Sequence, residues 1–241
     1  MRTPLDRTSL LVFGSFLAFF AKSPAAFAHR EDYLDETLVF LTLEEQEVEP
    51  EYWLDYGGRS DPQSHFLRHS LALEYGITNH WMVDGRGTVE TRLGQETEFA
   101  SARIESRYRF GEEGERYVDI AVSGDANSER LADGTNQYGF EPRLILSKDL
   151  EALNFTLNVP VELPLDGGPA AFRLNAGARY NAASWIRVGS EMKYDFSTAQ
   201  GALIPQLWFT FVGSMTIKLG YSQALGQNSE NFGRFAIEAE L

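Results

Sequence analysis

From Val48 to Leu241 the chain repeats one local pattern: short runs alternate apolar and polar residues, separated by turn formers. Successive side chains of a strand point to opposite faces, so a period of two builds a sheet with one greasy face and one charged face. The closing run, Gly233 to Leu241, places Phe235, Ile237, Ala239 and Leu241 on one parity and Arg234, Glu238 and Glu240 on the other. In Asn154–Leu163, Phe155, Leu157, Val159, Val161 and Leu163 oppose Asn154, Thr156, Asn158 and Glu162. About twelve such runs occur, near the ~10-residue length of strands that cross a membrane.

The connectors take turns in length. Gly76–Asn79, Gly111–Glu115, Ser147–Ala152, Asn181–Ser184 and Val212–Ser214 are tight. Between them lie longer or more polar joints such as Gly57–Ser64, Asp125–Tyr138 and Ala224–Asn231. The pattern predicts an all-β fold: an antiparallel transmembrane β-barrel of about twelve strands, with short periplasmic turns and longer extracellular loops. A sheet in lipid cannot leave an edge unpaired, so the last strand is expected to close on the first. A soluble sandwich or lipocalin-like barrel would also alternate, with the greasy parity turned inward. Aromatic residues near run ends (Tyr52, Tyr56, Tyr75, Tyr108, Tyr180, Tyr194) favour the membrane form, because they fit interfacial girdles.

Residues 1–28 read as a signal peptide: Arg2 and Arg7, then an apolar core at Ser9–Ala21, then an Ala26-Phe27-Ala28 cleavage site before His29. Its removal would take away Arg2, Arg7 and Lys22 together with Asp6, moving the net charge from −14 to −16. So acidic a chain is a poor partner for nucleic acid. The expected location is the outer membrane of a Gram-negative bacterium. The partners there are outer-membrane lipids, lipopolysaccharide and the barrel-assembly machinery that inserts such folds. Residues 29–46 form an acidic periplasmic segment, a strap or a plug, and residues 47–241 the barrel.

If the charged parity faces the lumen, its lining includes Glu51 and Asp55 from the first strand and Arg103, Glu105, Arg107 and Arg109 from the fourth. Glu141, Arg143, Arg173, Arg179, Arg187, Glu191 and Lys193 follow along the middle of the chain, then Lys218, Arg234 and Glu238. Opposite charges on neighbouring strands can pair, so the lining is either a rigid ion-paired filling or a path for a small polar solute.

Leu73–Gly85, Ala100–Glu115 and Glu51–Gly57, with the Tyr-Gly-Ile-Thr turn at Tyr75–Thr78, resemble the porin family linked with meta-pathway phenol degradation. The resemblance implies an outer-membrane barrel with transporter-like passage of solutes, and no catalytic residues. A non-transporting structural or binding barrel is the alternative.

Other chemistry finds little support. No G-x-S-x-G or H-E-x-x-H motif occurs. His69 and Ser70 are adjacent in a strand and would point to opposite faces. With no Cys, the only metal-ligand candidate is His29, whose freed α-amine could chelate Cu(II). His65, His69 and His80 are the other histidines. No cofactor is called for.

Overall fold

The computed structural model describes residues 32–35, 37–59, 64–131, 133–211, 215–226 and 230–241. The expected signal peptide and His29 lie outside the described residues. Twelve strands form in chain order: β1 Val48–Gly58, β2 Phe66–Thr78, β3 Trp81–Arg92, β4 Thr97–Arg109, β5 Asp119–Arg130, β6 Asn136–Leu150, β7 Leu153–Pro164, β8 Ala171–Ala183, β9 Ile186–Asp195, β10 Gln200–Phe211, β11 Met215–Leu225 and β12 Asn231–Ala239. Each pairs antiparallel with its sequence neighbours, and β12 returns to β1. Glu51 stands opposite Glu238 and Gly58 opposite Asn231 in that closing pair. The antiparallel barrel expected from the alternation is thus the observed fold.

The greasy parity looks outward. Leu71 is 64% exposed and Ile104 69%, whereas Glu105 and Lys218 are each 1% exposed. A soluble barrel would reverse this order, so the inverted sandwich is excluded.

The rims differ from the reading at two places. On the rim far from the termini, strands extend into the expected loops. Thr91 pairs with Thr97 and Arg130 with Asn136. The β5–β6 turn is closed by Asp133, which accepts bonds from the Thr135 backbone at 2.9 Å and its hydroxyl at 2.6 Å. Those bonds hold the Asp133 carboxyl below its ordinary range. On the entry rim, the joint after β4 is longer than the tight turn expected there. It spans residues 110–118, because β5 starts only at Asp119. Gly111 (φ 90°) and Gly114 (φ 75°) bend it, and Asp119 accepts from the Gly114 backbone at 3.0 Å.

Residues 32–35 and 37–43 precede β1 and run inside the barrel, and the exposed residues 44–46 carry the chain over the rim toward β1. Tyr33, Leu34, Leu38, Val39, Phe40 and Leu43 are all nearly fully buried. They supply much of the apolar interior, against Ala121, Ile145, Ile204, Trp208 and Ala236 of the wall. Where the segment turns into β1, Gln46 donates to the Gly76 carbonyl at 2.8 Å and Gly76 donates to that of Glu47 at 3.0 Å. A Cβ on Gly76 would lie 1.7 Å from the Glu44 carbonyl oxygen, so the glycine of the Tyr75–Thr78 turn is needed for this crossing.

Candidate functional site

The inner wall is ordered by register. Across β1–β6, Glu49 stands opposite Glu74, Glu74 opposite Asp84, Asp84 opposite Glu105, Glu105 opposite Asp125 and Asp125 opposite Glu141. Six carboxylates therefore form one row, which winds up the wall because barrel strands tilt. Basic rows flank it. Arg86 faces Arg103 on one side, and Arg107 and Arg143 flank Ser123 on the other. Like charges directly opposite each other repel, so the acid row depends on its neighbours. Arg103 reaches Asp84 at 3.4 Å, Arg107 reaches Glu105 at 3.2 Å and Arg143 reaches Glu141 at 2.5 Å. Arg86 leaves the row and pairs with Glu51 at 2.5 Å, its guanidinium 3.5 Å from the Trp53 ring centroid.

The other half of the wall grips the inner segment. Gln206 accepts from the Leu34 backbone at 2.7 Å. Glu191 accepts from those of Asp35 at 2.8 Å and Thr37 at 3.2 Å. Asn158 both accepts from Leu38 at 2.7 Å and donates to it at 2.9 Å. Side chains thus satisfy backbone groups that a ladder would otherwise take. The Tyr33 ring meets Trp208 edge-on at 5.8 Å, with the Arg179 guanidinium 5.8 Å from each ring. Its hydroxyl donates to Asn154 Oδ1 at 3.0 Å. Burial raises the Tyr33 pKa above the ordinary tyrosine range. Two glycines make room. A Cβ on Gly177 would lie 2.4 Å from the Tyr33 ring, and one on Gly220 would lie 2.2 Å from Leu34 Cδ2.

Two carboxylates of the segment meet wall cations. Asp32 receives both terminal nitrogens of Arg107, at 3.0 and 2.8 Å. Asp35 sits between Lys193 at 2.6 Å and Arg234 at 2.8 Å. Arg234 is also held by Asp55 through two bonds of 2.6 and 2.7 Å. Lys218 pairs with Glu238 at 2.5 Å and donates to the Asp32 carbonyl at 3.0 Å.

Three of the expected lining residues sit nearer the rims. Arg109 bonds the Asn79 carbonyl at 2.6 Å and Glu112 at 3.0 Å on the entry rim. Arg187 donates to Thr210 at 3.3 Å. Arg173 gathers Glu141, Glu162 and Asp195 toward the far rim. The sequence reading missed Asp84 and Arg86, because Gly85 and Gly87 on the outward parity erase the alternation around them. It also missed Asp125 and Gln206; Asn154 and Asn158 stand on the polar parity in the sequence, but their partners are set only by the fold.

Between the segment, β1–β4 and β11–β12 lies an internal cavity of about 20 Å³, lined by Asp32, Asp35, Glu51, Asp84, Arg86 and Lys218 among others. That is room for about one water molecule. On the outer wall, His69 Nδ1 lies 2.7 Å from the Tyr52 hydroxyl, while Ser70 faces inward and bonds Thr88 at 2.8 Å. The two do not touch. Among the described residues no three metal-ligating side chains converge.

No family model and no curated protein matches this chain. The resemblance to the phenol-pathway porins therefore gains no support there. Solved structures do match. The chain is similar to the KdgM porin, with TM-score 0.60 and 9% identity over 79% of this chain and 98% of that one. It is similar to an outer-membrane channel from Pseudomonas putida F1, with TM-score 0.57 and 10% identity over 88% and 100%. It is also similar to outer membrane phospholipase A from Escherichia coli, with TM-score 0.55 and 8% identity over 88% and 95%. What these likenesses share is the closed antiparallel barrel.

Proposed function

We propose that this chain is an outer-membrane barrel for the gated passage of small solutes, closed in this conformation by its own segment ahead of β1. The apolar outer belt suits lipid, and the porin and channel among its structural neighbours support passage over catalysis. One observation carries the gating. The segment fills the lumen, its backbone inside the barrel is held by wall side chains, and all twelve interstrand pairings are left to the strands themselves, with backbone bonds to Gly76 made only at the rim by Gln46 and Glu47. Its withdrawal would break no ladder bond between strands, so the barrel can outlast it. The sixteen charged residues expected to line the lumen would line the opened path.

Planar-bilayer recording of the refolded protein tests this. The mature chain should conduct little, and a barrel lacking residues 29–46 should conduct steadily while keeping heat-modifiable gel migration. A folded deletion barrel that stays silent would leave the alternative, a structural or binding barrel filled for good.

A further inference from the structure

Two of the segment's carboxylates, Asp32 and Asp35, occupy receptors that the wall itself builds. The fork of Arg107 matches a carboxylate in two parallel bonds, which a point charge does not require. Asp35 is shared by an ammonium and a guanidinium. The cations are held from behind by the wall: Arg107 by Glu105 at 3.2 Å, and Arg234 by both oxygens of Asp55. They would keep their places if the segment left. Arg107 is 2% exposed and Arg234 9%. Those values hold with the segment seated; once it leaves, each cation keeps a wall carboxylate behind it and turns its fork to the lumen, which favours a replacement of the same charge.

We propose that Asp32 and Asp35 stand in for the carboxylates of a small organic dianion, and that Arg107 on one side and Lys193 with Arg234 on the other form its two-point receptor. This rests on the reading that the segment withdraws. The two aspartates are three residues apart, so their backbones are separated by at most about 11 Å, which points to a small solute rather than a polymer. Arg107 stands on β4 beside Glu105, so the acid row of β1–β6 bounds the receptor on that side and repels such a solute from the rest of that wall. Solute and segment then compete for the same cations: the dianion opens the barrel by taking the place of the aspartates.

The experiment uses the full mature chain in planar bilayers, with succinate as the probe and the uncharged succinamide as control. Succinate should raise the open fraction of the wild type and succinamide should not. The Asp32→Asn/Asp35→Asn variant should open without any solute, by about ten- to a hundredfold over wild type, since it lacks charge-assisted bonds at both ends. Succinate added to that variant should quench the fluorescence of Trp208 and Trp53 and reduce the ion current. If the variant opens but succinate and succinamide act alike on both proteins, the receptor is wrong while the gate stands. If neither the variant nor a Gly177→Leu chain conducts although both migrate as folded barrels, the gate is wrong and the receptor falls with it.

Discussion

The two halves of the inner wall solve one problem in different ways. From β1 to β5 the wall satisfies itself. Carboxylates and guanidiniums interleave in rows beside a water-sized gap, and the segment meets them through Arg107, which holds Asp32 and reaches the Val39 and Leu41 carbonyls. From β7 to β12 the wall is completed by the segment, with amides offered to its backbone, glycines cut away beneath its side chains and two cations set against Asp35. A wall built of ion pairs keeps its shape without a guest. A wall built of hollows has its shape defined by one.

Substitutions on the two sides should therefore behave differently. The largest effect is expected at Arg234, on the fitted wall. Arg234→Met strands Asp35 and Asp55 together, and breaking such a buried pair costs about 3–5 kcal/mol. The temperature at which the heat-modifiable band shifts should fall clearly; an unchanged transition would remove the distinction between the walls. Gly177→Leu should come next. It overpacks the Tyr33 seat by about 1–3 kcal/mol, unseating the segment and raising conductance with little change in the melting of the barrel.

Tyr33→Phe should weaken seating by about 1 kcal/mol through the lost bond to Asn154. The same hydroxyl gives a pH test. Its value is raised in the folded state, so its contribution is complete below pH 10 and is lost as pH rises from there toward the raised value. Conductance should increase over that alkaline range in the wild type, and Tyr33→Phe should lack that component. The smallest effect is expected on the self-satisfied wall. Asp125 faces Glu105 and Glu141 across both neighbouring strands. Asp125→Asn should leave stability unchanged or improve it by about 0.5 kcal/mol, read as a urea midpoint. A large loss would mean that the acid row is more than a tolerated crowding.

The strands, their number and their two faces were legible in the chain itself, because side-chain alternation is a local consequence of the extended backbone. Phe155 and Thr156 declare their opposite faces without reference to any other strand. The N-terminal run was legible as acidic and apolar by turns, which left strap and plug open. The pairing of charges was not legible. That Glu105 stands beside Asp84 and Asp125 depends on register, and that Asp35 finds Lys193 and Arg234, 158 and 199 positions away, depends on closure. Glycines show the division most clearly. Gly177 and Gly220 stand in the sequence as small residues on a polar face, and only the seated Tyr33 and Leu34 reveal what that smallness is for. The periodicity of the backbone decides which way a side chain points, while the shape of the closed barrel decides what it meets.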